Sequence, residues 1–502
     1  MDDLTDTTRS GPSWPGLVAH PPRLRHPSVG VALARDRLGV PAVVFFVLAQ
    51  VAPLTVAAGV LPTFWAVTGI TGAPIVFAAV ALVLAVFCVG YLGLARAITH
   101  AGGIYAFTTR GLGRPAGVGT ALVAVGTYEL LQVALYGMFG PATSGLVTDL
   151  TGRIAPWWVY SLLAWAVVAV LGVRDVRLSG RLLAVLSAGE ILLLLVLSVA
   201  GLTHPAGSGV DMSTLNPTHL LAPGIGAALV IAVLAFVGFE GAPVLSEETR
   251  HPQRTVPAAT YTALAVMNGV YVLVSWAMAT HYGPTHLAAV AGEQGPMMLF
   301  TLAGPTFVQV GQVLFVTSLL AAALAFHNAV NRITFTLGRD HLLPIALGWT
   351  GRRGGAPWVA SLTQTTLGLL VIVGYAVSGS DPIVQLFYTA GTTGGLGVLL
   401  LITIVSLAIT THHLRTHTPL RAVLPATATL ILGVMSWLAV TGFPTLLGVP
   451  DTAVIGWLLP GGYLVLASIG LLLAQRLRRT DSTAYTTLGA SPTGSTPPAG
   501  VR

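Results

Sequence analysis

Apolar residues run along this chain in blocks of about 20, each closed by clusters of Arg, Pro or Gly, which is the length a helix needs to cross the hydrocarbon core of a bilayer. Twelve such blocks are read at residues 40–67, 73–98, 117–147, 156–173, 182–202, 224–246, 256–281, 306–337, 357–378, 382–411, 422–441 and 453–477. The pattern therefore predicts an all-α integral membrane protein with twelve transmembrane helices. The transporter domain occupies residues 39–478, flanked by a segment at 1–38 and a tail at 479–502. Both flanks are rich in Pro, Gly, Ser and Thr, and their composition predicts disordered extensions.

Two blocks are interrupted. The sixth carries Gly238, Gly241 and Pro243, with Glu240 placing a carboxylate inside the break. The first carries Pro53, Gly59 and Pro62. Unpaired backbone groups and a buried acid are costly at membrane depth, and are tolerated mainly where they line a cavity or bind something. The two breaks each open a block of five spans. That arrangement points to an inverted repeat, residues 40–202 and 224–411, with helices one and six discontinuous and a ligand bound at the midplane between them. Five is odd, so the second block faces the membrane oppositely to the first. Spans eleven and twelve, 422–477, fall outside the repeat.

Composition agrees. Of 502 residues, 54% are hydrophobic and 8% charged, far from the roughly 25% charged residues of a soluble domain. All 24 basic residues are Arg, and they gather in alternate loops, with Arg153 the exception. The positive-inside rule then places both termini in the cytoplasm and the protein in the cell membrane. The net charge of +7 reports this orientation and not nucleic-acid binding. A lone Cys88 excludes an intrachain disulfide. An intramembrane enzyme finds no support, since H-E-x-x-H is absent and the carboxylates of the spans are dispersed. A fold of two six-helix halves predicts a long central loop, whereas the link after span six is short. No cofactor is implied.

Glu240 is the sharpest single residue. Burial disfavours the charged form of a carboxylate, which makes Glu240 a candidate proton carrier, and a carboxyl that bonds the freed backbone of the break is the competing role. Glu129 and Gln132 share one face of span three and are candidate cavity-lining residues. His327 and Asn328 in span eight read as structural. Glu247, Glu248, Arg250 and Arg254, at the end of span six, form a candidate charged latch.

Three stretches carry a resemblance to a known family. FVGFEGAPVLSEETRHPQRTVPAA (236–259) resembles the sixth helix and following loop of amino acid–polyamine–organocation permeases, THAGGIYAFTTRGLG (99–113) their first cytoplasmic loop, and NAVNRITFTLGRDHLLP (328–344) the end of their eighth helix. The resemblance implies the leucine-transporter-type fold, alternating access, and amino acids or related amines as substrates held at the breaks of helices one and six. It places the family's G-[ST]-G segment on Thr55, Val56 and Ala57, so both glycines are absent here. With Phe236, Val237, Gly238 and Phe239 these form the candidate substrate-binding set. Helix breaks offer an end that favours an anion and an end that favours a cation, and a zwitterion supplies both. Glu190 lies near a position where some proton-coupled relatives carry a Lys. It is a second candidate coupling group, and Thr317 with Ser318 would complete a sodium site as a third. A proton-coupled secondary transporter is thus the expectation, with a substrate exchanger, a sodium-coupled amine or polyamine permease and a membrane-embedded nutrient sensor as the alternatives.

Overall fold

In the computed structural model of the protein, residues 38–97, 102–173, 176–351, 356–450 and 452–489 are described. Among them eleven helices are long and apolar enough to cross a membrane. A further apolar helix, Trp157–Gly172, is shorter at 16 residues and falls at the fourth expected block. The pairing of Leu38 with Thr249 is an isolated β-bridge. The segment expected to be disordered at the N-terminus lies outside the described residues up to residue 37.

Four spans of the first half pack on elements of the span five further on. The second, Ala73–Ala97, packs on the seventh, Pro252–Tyr282, and the third, Arg114–Thr151, on the eighth, Pro305–Arg339. The fourth packs on the ninth, Trp358–Ser378, and the first half of the first span, Val40–Val51, on the segment after the sixth-span break. Outer spans leave Leu370, Leu430 and Leu464 open, as a bilayer requires of surface that is never wetted.

The break in the first span comes at Ala52, with φ of 52°. Pro53 has no N–H to donate and crowds the residue before it out of the right-handed helical region. The chain resumes as Pro53–Thr55, passes through a π-helical stretch, Val56–Val60, and continues as Leu61–Thr68. Gly59 and Pro62, read from sequence as further interruptions, sit inside this resumed helix. The wider π turn absorbs the donor that Pro62 lacks.

The sixth span runs as Ile225–Phe236 and stops at Val237 and Gly238. Gly238 takes φ of 112°, which a side chain rarely tolerates. The chain then continues as a 3-10 helix, Phe239–Glu248. At Gly241 the carboxamide of Gln50 occupies the place a Cβ would take, so a side chain there would push that carboxamide aside.

The tail departs from expectation. Beyond the last span, Val454–Thr480, the chain forms a short helix, Ser482–Thr487, capped by the Asp481 carboxylate. Its Thr486 carbonyl accepts from Arg114 at 2.8 Å, and the Arg114 guanidinium lies 5.4 Å from the Tyr485 ring centroid. Leu488 is buried, and Asp340 at the end of span eight accepts from Gly489 N–H at 3.4 Å and from the Tyr105 hydroxyl at 2.8 Å. Composition alone gave no sign of this seat, because the groups that order the segment come from other elements. Residues 490–502 of the expected tail lie outside the described residues.

Candidate functional site

The two breaks lie side by side and open onto a small, mostly apolar cavity of about 70 Å³. The first span gives it Gln50, Val51, Ala52, Thr55, Val56 and Gly59, and the sixth gives Ile231, Leu234 and Val237. Spans three, eight and ten close it with Leu131, Leu135, Phe326, Phe387 and Tyr388.

Of the expected substrate-binding residues, Thr55, Val56 and Val237 line this cavity. Ala57 is buried beside it. Phe236 packs among Phe77 and Tyr271, and Phe239 against Phe87, so both are core aromatics. Gly238 makes the turn. Gln50, Phe326 and Phe387 went unnoticed in the sequence. Gln50 carried one usable signal, a carboxamide three residues before Pro53 in an otherwise apolar run.

Glu240 is 1% exposed and committed on both oxygens. Its Oε2 accepts from Gly238 N–H at 3.0 Å, and its Oε1 from the Tyr128 hydroxyl at 2.6 Å. The Tyr91 hydroxyl donates to its backbone carbonyl at 2.9 Å. The residue thus satisfies a freed donor of the very break it sits in.

Glu190 holds the other break. Its Oε2 accepts from Leu54 N–H at 3.2 Å, and Ser318 lies beside the same carboxylate. Ser318 pairs with Thr55, hydroxyl to hydroxyl, at 3.1 Å. A carboxylate and two hydroxyls, one of them on cavity-lining Thr55, therefore meet at the start of the half-helix. Thr317 donates to the Leu314 carbonyl of its own helix at 2.9 Å.

Glu129 and Gln132 stand away from the cavity wall, which span three supplies through Leu131, Ala134 and Leu135. Gln132 joins a buried polar cluster between spans three, eight and nine. It donates to the Tyr136 hydroxyl at 3.2 Å, lies 3.3 Å from His327 Nδ1 and accepts from Gln364. His327 Nε2 reaches Ser361 at 2.8 Å, and Glu129 bonds Gln364.

Contacts join the start of the first span to the segment after the sixth-span break. Leu38 N–H donates to the Glu248 carbonyl at 3.1 Å and Arg250 N–H to the Leu38 carbonyl at 3.0 Å. The Glu248 carboxylate accepts from Arg332 Nε at 2.7 Å, both side chains being almost wholly buried. The ion-pair partner of Glu248 is therefore a residue of span eight. Arg254 is exposed, and the Glu247 side chain lies outside the described residues.

An apolar cavity thus lies between two broken, membrane-length helices, with a buried ion pair beyond the sixth-span break. The chain belongs to the amino acid permease family, whose model matches residues 38–466. It is 23% identical over 320 residues to the low-affinity putrescine importer PlaP of Escherichia coli K12, covering 62% of this chain and 68% of that one. To the branched-chain amino acid permease BcaP of Bacillus subtilis it is 25% identical over 332 residues, 61% of this chain and 68% of the relative. The methylthioribose transporter of Bacillus subtilis is 26% identical over 290 residues, 54% of this chain and 59% of the relative.

Proposed function

We propose that the protein is a secondary active transporter that moves amino acids or related amines across the cell membrane by alternating access, coupled to protons, with both termini in the cytoplasm. The observation that carries this reading is the cavity at the paired breaks, sealed toward the terminus face by the Leu38–Thr249 bridge and the Glu248–Arg332 ion pair. A site that is closed on one face by contacts able to part is what alternating access needs. Packing of spans two on seven, three on eight and four on nine supports a 5+5 inverted repeat with two added helices.

Of the three candidate coupling groups, Glu190 is the proton carrier. It bonds Leu54 of the break and lies beside Ser318, which bonds cavity-lining Thr55, so a change in its proton count is felt at the site. Glu240 closes its own turn and keeps a structural role.

The test is uptake by the purified protein in proteoliposomes, with proton and sodium gradients imposed separately. Uptake is expected to follow the proton gradient and to ignore sodium. Glu190→Gln is expected to lose concentrative uptake and to flatten its pH dependence, while equilibrium exchange persists. Sodium-driven uptake, or an unaltered pH profile in Glu190→Gln, would remove the proposed coupling.

A further inference from the structure

The cavity has a chemical bias that its relatives do not resolve among themselves, since their names cover a diamine, branched-chain amino acids and a thiosugar. Its walls are mainly Val, Leu, Ile, Ala and Phe side chains with a few amide and hydroxyl groups, and among the described residues no charged one lines it. The two nearest acids of the breaks are occupied, Glu240 by Gly238 and Tyr128 and Glu190 by Leu54. The helix Val40–Val51 ends at the break, and a helix end of that sign favours a cation. The chain beyond it offers little to an anion, because Pro53 has no N–H and Leu54 N–H is taken by Glu190. The break therefore suits one ammonium. A second ammonium, on a diamine or on the side chain of a basic amino acid, would be desolvated against apolar walls with no counter-charge.

One lining group remains open. The cavity's hydroxyls are used within the protein: Thr55 by Ser318, Thr63 by the Gly59 carbonyl, Thr392 by the Tyr388 carbonyl and Tyr388 by the Leu446 carbonyl. Gln50 Oε1 is buried and has no hydrogen-bond partner among the described residues. It sits at the carbonyl end of Val40–Val51, against Gly241, at the seam of the two breaks. Buried polar atoms left unpaired are rare, and each calls for an explanation.

We propose that the site selects neutral amino acids with aliphatic side chains over diamines and basic amino acids, and that Gln50 Oε1 accepts a hydrogen bond from the substrate ammonium. The proposal rests on the transporter reading for its setting. Its test is therefore binding first and uptake second.

Purified full-length protein is heated with L-leucine, L-arginine, putrescine or 4-methylpentanoate, the last being leucine without its amine. Leucine is expected to raise the unfolding temperature in a saturable way, with arginine and putrescine at least about tenfold weaker, as expected when a buried charge finds no partner. Gln50→Met, similar in length and without the acceptor, is expected to weaken leucine about tenfold and to leave 4-methylpentanoate unchanged. The ligand-free unfolding temperature of Gln50→Met shows whether the fold is kept, and Gln50→Asn serves as a second variant. Putrescine or arginine binding as tightly as leucine, or no stabilisation by leucine, would overturn the substrate class. Equal weakening of leucine and 4-methylpentanoate, or of neither, would overturn the role of Gln50. Leucine binding without uptake in proteoliposomes would instead reject the transporter reading and leave the substrate class standing.

Discussion

Glu240 is held so fully that its chemistry is limited by its own surroundings. Each carboxylate oxygen already has a donor, one from the broken backbone and one from Tyr128. Replacing it by Gln puts an amide NH₂ where one of two donors points. That costs about 1–3 kcal/mol, because a buried donor then loses its acceptor. Glu240→Gln is therefore expected to lower thermal stability while uptake keeps its pH dependence. Loss of the pH dependence in a well-folded Glu240→Gln protein would return the coupling role to Glu240. The sequence showed that a carboxylate in a membrane break is unusual, and it left two roles open. What separates them is whether the oxygens are free, and that depends on Gly238 two residues away and on Tyr128 more than a hundred residues away. No local pattern carries the second partner.

At the scale of elements, the closed face hangs on the strap between Leu38 and Thr249 and on the ion pair between Glu248 and Arg332. Sequence reading paired the acids after span six with the arginines that follow them, since neighbours are all a sequence offers. Span eight, packed across the bundle, supplies the partner instead. Removing one member of a buried pair strands the other and typically costs about 3–5 kcal/mol. Arg332→Ala is expected to loosen this closure. A cysteine placed at Val56 in the cavity should then react faster with a membrane-impermeant thiol reagent applied from the terminus face, in a Cys88→Ser background. Unchanged reactivity would mean that the strap holds the closure without the ion pair. Neutralising both partners together is expected to recover part of the stability, since no lone charge is left buried.

The whole molecule ties its last described residues back to its middle. The segment around Ser482–Thr487 meets Arg114 at the start of span three, and Gly489 shares Asp340 with Tyr105. Burial of Leu488 adds an apolar seat, worth up to about 1.5–3 kcal/mol for a side chain of its size. Deleting residues 481–502 is expected to lower the unfolding temperature by a few degrees and to raise protease cleavage near Arg110 and Arg114. A deletion that melts like the full chain would show that this seat contributes no stability.

Periodicity, composition and two misplaced sets of Gly and Pro determined that the chain is helical, membrane-embedded and broken in its first and sixth spans. These are local properties: the hydrocarbon core sets how long an apolar run must be, and Pro53 and Gly238 act on their own backbone. Resemblance in three stretches added the family. The tertiary structure alone decided which break residues face the cavity, why Phe236 and Phe239 turn into the core, that Arg332 completes the latch, and that Gln50 is left with an open acceptor. Each of these depends on which side chain of one helix meets which of another. A helix turns by about a hundred degrees per residue, so a one-residue difference in facing separates a wall from a core position, and only packing fixes that facing.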